Sequence, residues 1–596
     1  MAERRPGTRR SPVALALLLV AVLALLTGCV DLPRRGPVAG GPAPAAPDPA
    51  LGFLAEGPPP GASPETVVEG FLRASAAFDD DSATARLFLT PRAARSWRPS
   101  ERVVVIAASG LVVGGTGASL PAADPGRPTS TVTQGTVQTV RVTAPLVGEV
   151  DRRGRWTTAP PRASYSVDLD VVRADGVWRL SDPPDEVVVS RDVFRQVYRA
   201  YPLTFLDPTR TALVPELRWF PGRSPSATLL VSELLAGPSE WLAGAVTTAF
   251  PEETRLLSSP PAVPLDPGGT AVVDLSDEAR AADPGTRLLM EAQLRATLRP
   301  VPGVREVQLS SAGSALGLPD AQLGLLDPPA PAGPPVVLSG GRIARLDGDG
   351  AELVPGLLDV SSLLPSDPAV GVDGIFAVLV QQRGRLLVGV PDESDAGPGL
   401  RGVVAGEDLV APSVDVRGWV WTTPADAEGE VLAVDAAGDV RTVEAPWLDG
   451  RRVRALQVSR DGARVVVAST DADGGAHLDV AGVVRDGEGA PLRLDVPDVP
   501  PVPGLVSVSD AGWQDATTVV AVGSVEEGPA ELLRVAVDGS DVRAVEVPEG
   551  VERLTSAEAA GRVLLDAPGG GVLQPAGLAW VVRPGSETST DPSYPG

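Results

Sequence analysis

The sequence is short of the side chains that most often carry catalysis or covalent cross-links. Its 596 residues include one cysteine, one histidine, no lysine and no asparagine. A single cysteine excludes an intramolecular disulfide, and a lone His477 excludes histidine-rich metal sites and histidine-based triads elsewhere. The missing asparagine excludes N-glycosylation. We therefore expect domains that are held by core burial alone, with no cofactor and no metal.

The charge balance narrows the range of partners. Acidic residues outnumber arginines by 76 to 51, which gives a formal net charge of −25 at pH 7. A surface of this sign repels the phosphates of nucleic acids and the headgroups of anionic lipids. We expect no nucleic-acid partner, and we do not expect the folded body to lie flat on a membrane.

Residues 1–28 have the pattern of a secretory signal sequence. Four arginines precede an uncharged apolar run from Val13 to Leu26, which is shorter than the ~20 residues of a membrane span. The run ends in Leu26-Thr27-Gly28-Cys29, which resembles a bacterial lipobox. That resemblance implies cleavage between Gly28 and Cys29 and an N-palmitoyl, S-diacylglycerol Cys29 that anchors the protein to the extracytoplasmic face of the cell membrane. An ordinary signal peptide with a chance cysteine is the alternative.

Residues 29–62 are predicted to be a linker and residues 63–195 a first domain. The linker contains nine prolines, so we expect polyproline II structure in part of it. The predicted elements of the domain are a helix that begins at Ser63-Pro64, a helix over 82–89, and strands over 103–106, 132–142, 165–171 and 177–180. Helices followed by an antiparallel sheet indicate an α+β fold. It resembles the NTF2-like fold, which implies a spacer or interaction module.

Residues 200–313 are predicted to form a second α+β domain. The predicted elements are strands over 213–220, 270–276 and 304–309 and helices that begin at Ser224-Pro225 and Asp283-Pro284. The strings Leu234-Leu235-Ala236-Gly237-Pro238, Val273-Asp274-Leu275-Ser276 and Ala296-Thr297-Leu298 resemble the GerMN domain of sporulation and lipoprotein families. That domain implies a non-catalytic binding unit. We interpret Asp274 as a cap for backbone amides rather than as a catalytic acid.

Residues 334–585 contain a repeat of strand, polar turn and strand. Repeats begin near residues 371, 413, 456, 506 and 553, and a spacing of 42 to 50 residues matches one four-stranded propeller blade. We predict an all-β propeller of about five or six blades, with a solenoid as the alternative, followed by a disordered tail over 586–596. Three aromatic residues are candidates for a ligand face, although packing between blades is the favoured interpretation: Trp419, Trp421 and Trp513.

The order of these regions is similar to that of the LpqB family of actinobacterial lipoproteins. This resemblance implies a partner, the extracytoplasmic domain of a sensor histidine kinase in an MtrA–MtrB two-component system, and a role in cell-envelope homeostasis and division. An exported ligand- or glycan-binding propeller protein is an alternative. A cell-wall hydrolase is another, since paired carboxylates are the remaining acid–base groups. We interpret the chain as a binding protein and not as an enzyme.

Overall fold

The structure is a computed structural model, and it describes most of the chain beyond the linker. The described residues are 57–77, 82–116, 137–174, 176–222, 226–258, 261–321, 323–325, 333–348, 350–391, 400–496, 502, 504–557 and 562–596. The signal sequence, Cys29 and most of the predicted linker lie outside them. Among the described helices, none combines the length and the apolar character needed to cross a bilayer.

The N-terminal domain packs short helices against a seven-stranded sheet. Its elements are α1 (Pro64–Ser75), α2 (Ala83–Arg86), α3 (Pro91–Ser96), β1 (Arg102–Ile106), β2 (Val112–Thr116), β3 (Val137–Asp151), β4 (Trp156–Thr158), β5 (Ser164–Ala174), β6 (Val177–Leu180), β7 (Val187–Ser190) and α4 (Arg191–Val197). The strand order is β6-β5-β3-β1-β7, with β2 and β4 also paired to β3. All pairs are antiparallel except β1 with β7.

The predicted start of α1 is confirmed in detail. The Ser63 hydroxyl accepts a hydrogen bond from the Thr66 amide at 3.2 Å, and Pro64 occupies the first turn. The second predicted helix is shorter than expected, because helical structure extends only over α2. The predicted strand over 132–142 begins, within the described residues, at Val137 of β3.

The second domain contains a two-stranded sheet, a three-stranded sheet and one long helix. Its elements are β8 (Tyr198–Leu206), β9 (Leu213–Pro221), α5 (Ser226–Leu235), α6 (Glu240–Ala243), β10 (Thr270–Leu275), α7 (Asp277–Ala281), α8 (Pro284–Leu298), β11 (Glu306–Ser311) and β12 (Ser314–Ala315). Strands β8 and β9 are antiparallel, β10 and β11 are parallel, and β12 adds to β11. The predicted caps Ser224 and Pro225 lie outside the described residues.

Helix α8 follows its sequence signals closely. The Asp283 carboxylate accepts hydrogen bonds from the amides of Gly285 and Thr286 at 2.9 and 3.1 Å. An aspartate at this position satisfies amides that have no partner within the helix. The residues predicted to line one face of the helix are fully buried: Met290, Leu294 and Leu298.

The C-terminal domain is a propeller with six four-stranded blades in the described part of the chain. The blades are β36 with β13–β15, β16–β19, β20–β23, β24–β27, β28–β31 and β32–β35, in that order around the ring. The strands of the first three blades are β13 (Val336–Ser339), β14 (Arg342–Asp347), β15 (Gly350–Leu353), β16 (Ser366–Val370), β17 (Phe376–Val380), β18 (Arg385–Gly389), β19 (Arg401–Ala405), β20 (Ser413–Val414), β21 (Val420–Thr422), β22 (Glu430–Val434) and β23 (Val440–Glu444). The remaining strands are β24 (Arg452–Val458), β25 (Arg464–Thr470), β26 (Ala476–Arg485), β27 (Pro491–Leu494), β28 (Ser507–Asp515), β29 (Thr518–Ser524), β30 (Glu531–Ala536), β31 (Val542–Glu546), β32 (Leu554–Ser556), β33 (Val563–Asp566), β34 (Val572–Ala576), β35 (Ala579–Val582) and β36 (Ser589–Ser593). Two short 3-10 helices cover Ser361–Leu363 and Pro446–Leu448.

The C-terminal segment differs from its prediction as a disordered tail over 586–596. Strand β36 pairs antiparallel with β13, Ser589 opposite Ser339 and Ser593 opposite Val336. It contacts β16 and β32, the innermost strands of the two flanking blades, so β36 is the innermost strand of the first blade. The segment has no alternation of apolar and polar residues that would predict a strand. Its conformation comes instead from the unpaired edge that β13 presents to the centre of the ring.

The second domain docks on one face of the propeller, where it contacts turns that connect the strands within a blade. In the turn after β20, the Arg417 guanidinium bonds the carboxylate of Asp207, which is itself buried. In the turn after β30, the Asp538 carboxylate accepts a hydrogen bond from the Trp219 indole at 2.8 Å. These contacts join residues more than 200 positions apart and set the position of the second domain on the ring.

Arg464 forms a third junction at this face. Its side chain is fully buried, and it bonds the carboxylate of Asp461 within its own blade. It also donates to the carbonyl of Pro215 in the second domain at 3.2 Å and stacks 4.8 Å from the ring of Trp513 in the next blade. One guanidinium therefore connects two blades and the docked domain.

Arg417→Gln is expected to lower the free energy of unfolding by about 1–3 kcal/mol, because the buried Asp207 carboxylate loses its cation but keeps its own loop contacts. Guanidinium chloride titration measures the change. Arg385→Gln, at an exposed arginine of β18, is the matched control and should change stability by less than about 0.5 kcal/mol. Equal effects of the two substitutions would contradict the assigned role of Arg417.

Candidate functional site

The centre of the propeller holds a polar cavity of about 360 Å³. Its walls come from the first residues of the innermost strands and from the loops that lead into them. The charged lining residues are Asp367, Arg383, Asp408, Arg452, Arg454, Asp510, Glu552, Arg553 and Asp591. The second domain contacts the turns at the other ends of these strands. The cavity therefore opens on the face of the ring opposite to the docked domain.

Arg553 lies between two carboxylates from different blades. It bonds Asp367 of β16 and lies 2.6 Å from Asp591 of β36. Asp367 is about 1% exposed, so its charge is compensated inside the protein and not by water. The Arg553 contacts connect the last blade, the closing strand β36 and the second blade. They therefore hold the ring closed at its centre.

The ion pairs continue from Asp367 towards solvent. Arg383 bonds Asp367 at 3.0 Å and lies 3.9 Å from Asp408. Arg452 then bonds Asp408 and lies 3.2 Å from Asp426, whose side chain is 78% exposed. Alternating charges thus run from the buried centre of the ring to the exposed Asp426. Each of these arginines is already neutralised by carboxylates of the protein itself.

The surroundings shift the pKa values of these groups in opposite directions. Burial alone would raise the pKa of Asp367, but the attraction of Arg553 and Arg383 outweighs burial and holds its pKa below the usual range. Burial likewise opposes the charge of Arg553, but Asp367 and Asp591 raise its pKa. For Asp591, burial and repulsion from Asp367 raise the pKa despite the attraction of Arg553.

Asp510 and Asp566 lie near this network, and neither forms an ion pair with an arginine among the described residues. Burial raises the pKa of Asp510 to about 6, against the lowering effect of the Leu554 amide. Burial and repulsion from Asp591 raise the pKa of Asp566 to about 6. A carboxyl group with such a pKa can serve as a general acid. In Asp510, however, the two oxygens accept hydrogen bonds from the amides of Ala511 and Leu554 at 2.9 and 2.8 Å, as in a structural cap.

The three tryptophans proposed for a ligand face lie between blades and do not line the cavity. Trp421 is fully buried, and its indole donates to Asp415 at 2.9 Å. Trp513 is 2% exposed, and its indole donates to the carbonyl of Gln457 at 3.0 Å. Trp419 is half-buried and packs against the core of its blade. The favoured interpretation, packing between blades, agrees with these positions.

The other residues named from the sequence fall in separate places. The Asp274 carboxylate accepts a hydrogen bond from the Gly313 amide at 3.0 Å, as expected of a cap at a strand end. The His477 ring lies 3.0 Å from a carboxylate oxygen of Asp471. In the described ranges, no three histidine, cysteine or acidic side chains are grouped so that they could hold a metal ion. Gly28 and Cys29 lie outside those ranges.

The sequence analysis did not predict the charged cavity at the centre of the ring. A signal for it exists, because several innermost strands carry a charged residue at or next to their first position, as Asp367, Arg452 and Arg553 do. These residues lie up to about 190 positions apart from one another in the chain. Only ring closure brings them together, so the periodic apolar pattern alone could not reveal their pairing.

Comparison with known families reproduces the order of regions along the chain. The family profile described as "Lipoprotein LpqB, N-terminal domain" matches residues 57–195. The profile "Sporulation and spore germination" matches residues 202–317. The profile "Lipoprotein LpqB beta-propeller domain" matches residues 341–595. Together these matches cover most of the described residues.

Individual relatives match over nearly the full length. Lipoprotein LpqB of Streptomyces coelicolor is 30% identical over 602 residues, which cover 94% of this chain and 94% of the relative. Lipoprotein LpqB of Thermobifida fusca is 29% identical over 620 residues, which cover 92% of this chain and 95% of the relative. A solved structure of TolB from Acinetobacter baumannii covers 44% of this chain and 65% of that chain, at 14% identity and a TM-score of 0.32. The two lipoproteins confirm the resemblance predicted from the order of regions.

Arg553→Gln is expected to destabilise the protein by about 3–5 kcal/mol, because it leaves Asp367 and Asp591 without a shared cation at the centre of the ring. Thermal and denaturant unfolding measure the loss. Arg543→Gln is the control, since Arg543 pairs with Asp541 at the surface and should contribute less than about 1 kcal/mol. A change as small as the control would rule out Arg553 as the residue that closes the ring.

Asp510→Asn is expected to change the pH dependence of stability. The pKa of Asp510 in the folded protein is about 6, above its usual value, so its favourable contribution is present in acid and is lost as pH rises through about 6. The asparagine does not titrate. The stability of the variant relative to wild type should therefore increase by on the order of 2 kcal/mol from about pH 4 to about pH 8. Unfolding free energies at several pH values measure this difference, and a flat profile would be the contrary result.

Proposed function

Because this chain belongs to the LpqB family of lipoproteins, we propose that it is an exported, lipid-anchored binding protein whose partner is the extracytoplasmic domain of a sensor histidine kinase. The kinase is proposed to belong to a two-component system of the MtrA–MtrB type. By binding the kinase domain, the protein modulates signalling that controls cell-envelope homeostasis and division. Its role is that of an accessory protein and not of an enzyme.

The observation that carries this proposal is the joining of three domains into one scaffold. The second domain is held on the propeller by the Asp207–Arg417 pair and by Trp219 with Asp538. The N-terminal domain reaches the same propeller loop, because Thr158 donates to the carbonyl of Gly539 at 3.2 Å. A scaffold of this kind presents fixed surfaces, and pre-organisation lowers the entropic cost of binding a partner.

The anchor and the linker support the proposed place of action. The two acyl chains of the diacylglyceryl group on Cys29 would hold the protein stably at a membrane, whereas one chain holds only marginally. The linker of residues 29–62 could extend on the order of 100 Å if it adopted polyproline II throughout. The anchor would then confine the folded domains to the layer in which a kinase ectodomain lies and raise their local concentration there.

A ligand-binding propeller is a second candidate function. The cavity of about 360 Å³ at the centre of the ring favours it, because small-molecule sites are concave and usually preformed. The two functions are compatible, since the cavity and the docked domain lie on opposite faces of the ring. Kinase binding and ligand binding can therefore be tested separately.

The test of kinase binding compares the lipidated mature chain with Cys29→Ser. We expect both forms to bind the purified kinase ectodomain with the same affinity in solution, because the substitution changes no contact surface. In cells, Cys29→Ser should weaken the two-component reporter response, because the released protein loses its local concentration. Failure of both forms to bind at tens of micromolar would overturn the proposal.

The binding surface can be mapped with the same variant. The chain has no lysine, so amine-reactive cross-linkers are poorly suited to it. Cys29→Ser removes the one cysteine, and a cysteine introduced at any chosen position is then unique. Photo-reactive probes placed in turn on each domain would identify the surface that contacts the kinase in intact cells, and probes that cross-link no kinase on any domain would count against the proposed partner.

A further inference from the structure

The opening of the central cavity contains one cation and one anion that have no partner among the described residues. Arg454, in β24, and Glu552, just before β32, are both exposed and both line the cavity. Across the described residues, neither side chain takes part in an ion pair or a hydrogen bond with another residue. They belong to blades four and six, with the first residues of β28 in blade five between them.

The other charged groups of the cavity are already engaged. Arg383, Arg452 and Arg553 each bond carboxylates of the protein. The Asp510 carboxylate is occupied by the amides of Ala511 and Leu554. A ligand that enters from solvent therefore meets one available guanidinium and one available carboxylate against a background of compensated charge.

The backbone near Glu552 is held in place by its neighbour. The hydroxyl of Ser509 in β28 donates to the carbonyl of Glu552 at 2.8 Å. Arg454 is the residue left unpaired where the register of β24 shifts against β25, and its neighbours Val453 and Ala455 pair with Ser469 and Ala468 on either side of it. Both charged residues thus project from fixed backbone, which limits the entropy that is lost when a ligand orders their side chains.

From this arrangement we propose that the cavity binds a small zwitterion, such as a short peptide or amino acid with free amino and carboxyl termini. The ligand carboxylate would pair with Arg454 and its ammonium group with Glu552. An Arg–carboxylate contact can be bidentate, which favours a carboxylate over a simple halide ion. A ligand with a single charge would leave one of the two residues unmatched. The volume of about 360 Å³ is at the lower end of the range for small-molecule sites and suits a ligand of this size.

The proposal can be tested by calorimetry on the mature chain carrying Cys29→Ser, with dipeptides as probes. Alanylalanine and a panel of dipeptides with other side chains are compared with their N-acetylated and C-amidated derivatives. We expect saturable binding of at least one free dipeptide, with a dissociation constant below about 1 mM. Blocking either terminus should weaken that binding at least about 5-fold, because one charged hydrogen bond is lost. Absence of binding by every free dipeptide, or equal binding of the blocked forms, would overturn the proposal.

Variants then assign the two contacts to their residues. Arg454→Gln should remove the preference for a free carboxyl terminus, and Glu552→Gln the preference for a free amino terminus. Arg385→Gln and Glu549→Gln, at exposed residues outside the cavity, are the matched controls and should leave binding unchanged. A chain that carries both Arg454→Glu and Glu552→Arg should bind better than either single charge reversal, because a zwitterion can bind in the reverse orientation.

Folding of these variants is not expected to limit the test. Both residues are exposed and bond no other residue in the described part of the chain, so thermal midpoints should stay close to that of the parent chain. Binding is measured without a kinase, so its outcome is independent of the proposed partner. If Arg454→Gln and Glu552→Gln bind every probe as the parent does, the site is not at the cavity opening and the proposal is wrong.

Discussion

Buried pairs of arginine and carboxylate hold the junctions of this protein. Arg485 and Asp415 form an ion pair that joins two blades, and both side chains are at most 1% exposed. The Asp415 carboxylate also accepts a hydrogen bond from the Trp421 indole. Arg553 performs the same role at the centre of the ring, and Arg417 between the propeller and the second domain. Arginine suits these positions because its guanidinium stays charged and can bond several acceptors at once. With a single cysteine and no lysine, the chain has neither a disulfide nor an ammonium group for the task.

Such pairs fix geometry more than they add net stability. Removing two charges from water costs several kcal/mol of desolvation free energy per ion. The attraction between well-placed partners offsets about the same amount. Each pair is therefore worth little compared with apolar packing, but a displaced partner leaves a buried charge and is strongly disfavoured. Because a misplaced partner costs far more than a correct pair contributes, the blades and domains adopt one relative arrangement. At the cavity opening, by contrast, Arg454 and Glu552 are exposed to solvent, so their charges need no partner within the protein.

The two faces of the ring have separate tasks. Each innermost strand begins at the cavity and ends in a turn on the opposite face of the ring. Several of those turns contact the second domain. The docked face is occupied by internal contacts such as Trp219 with Asp538. The cavity face keeps its opening to solvent. The proposed partner and the proposed small ligand would therefore have separate surfaces of the protein available to them.

Local elements were predictable wherever a local signal exists. The N-caps of α1 and α8 and the apolar stripe of α8 are correct, because caps and helical spacing act over a few residues. The blade repeat was predictable because its apolar strands recur at a regular spacing, and the described residues form six blades. The second helix was predicted too long. Strand β36 was missed because its residues carry no strand pattern, and its pairing depends on β13, about 250 positions earlier.

The class of each domain, the order of the domains and the scarcity of catalytic side chains all follow from the order of residues along the chain. The sequence also supplied the lipobox pattern at Cys29, since a lipobox is read from four adjacent residues. Which charged side chains pair with each other depends on the folded ring. Asp367, Arg553 and Asp591 come from three blades, and closure of the ring places them within bonding distance. Ion pairing of this kind depends on distance in space, and no periodicity along the chain records it.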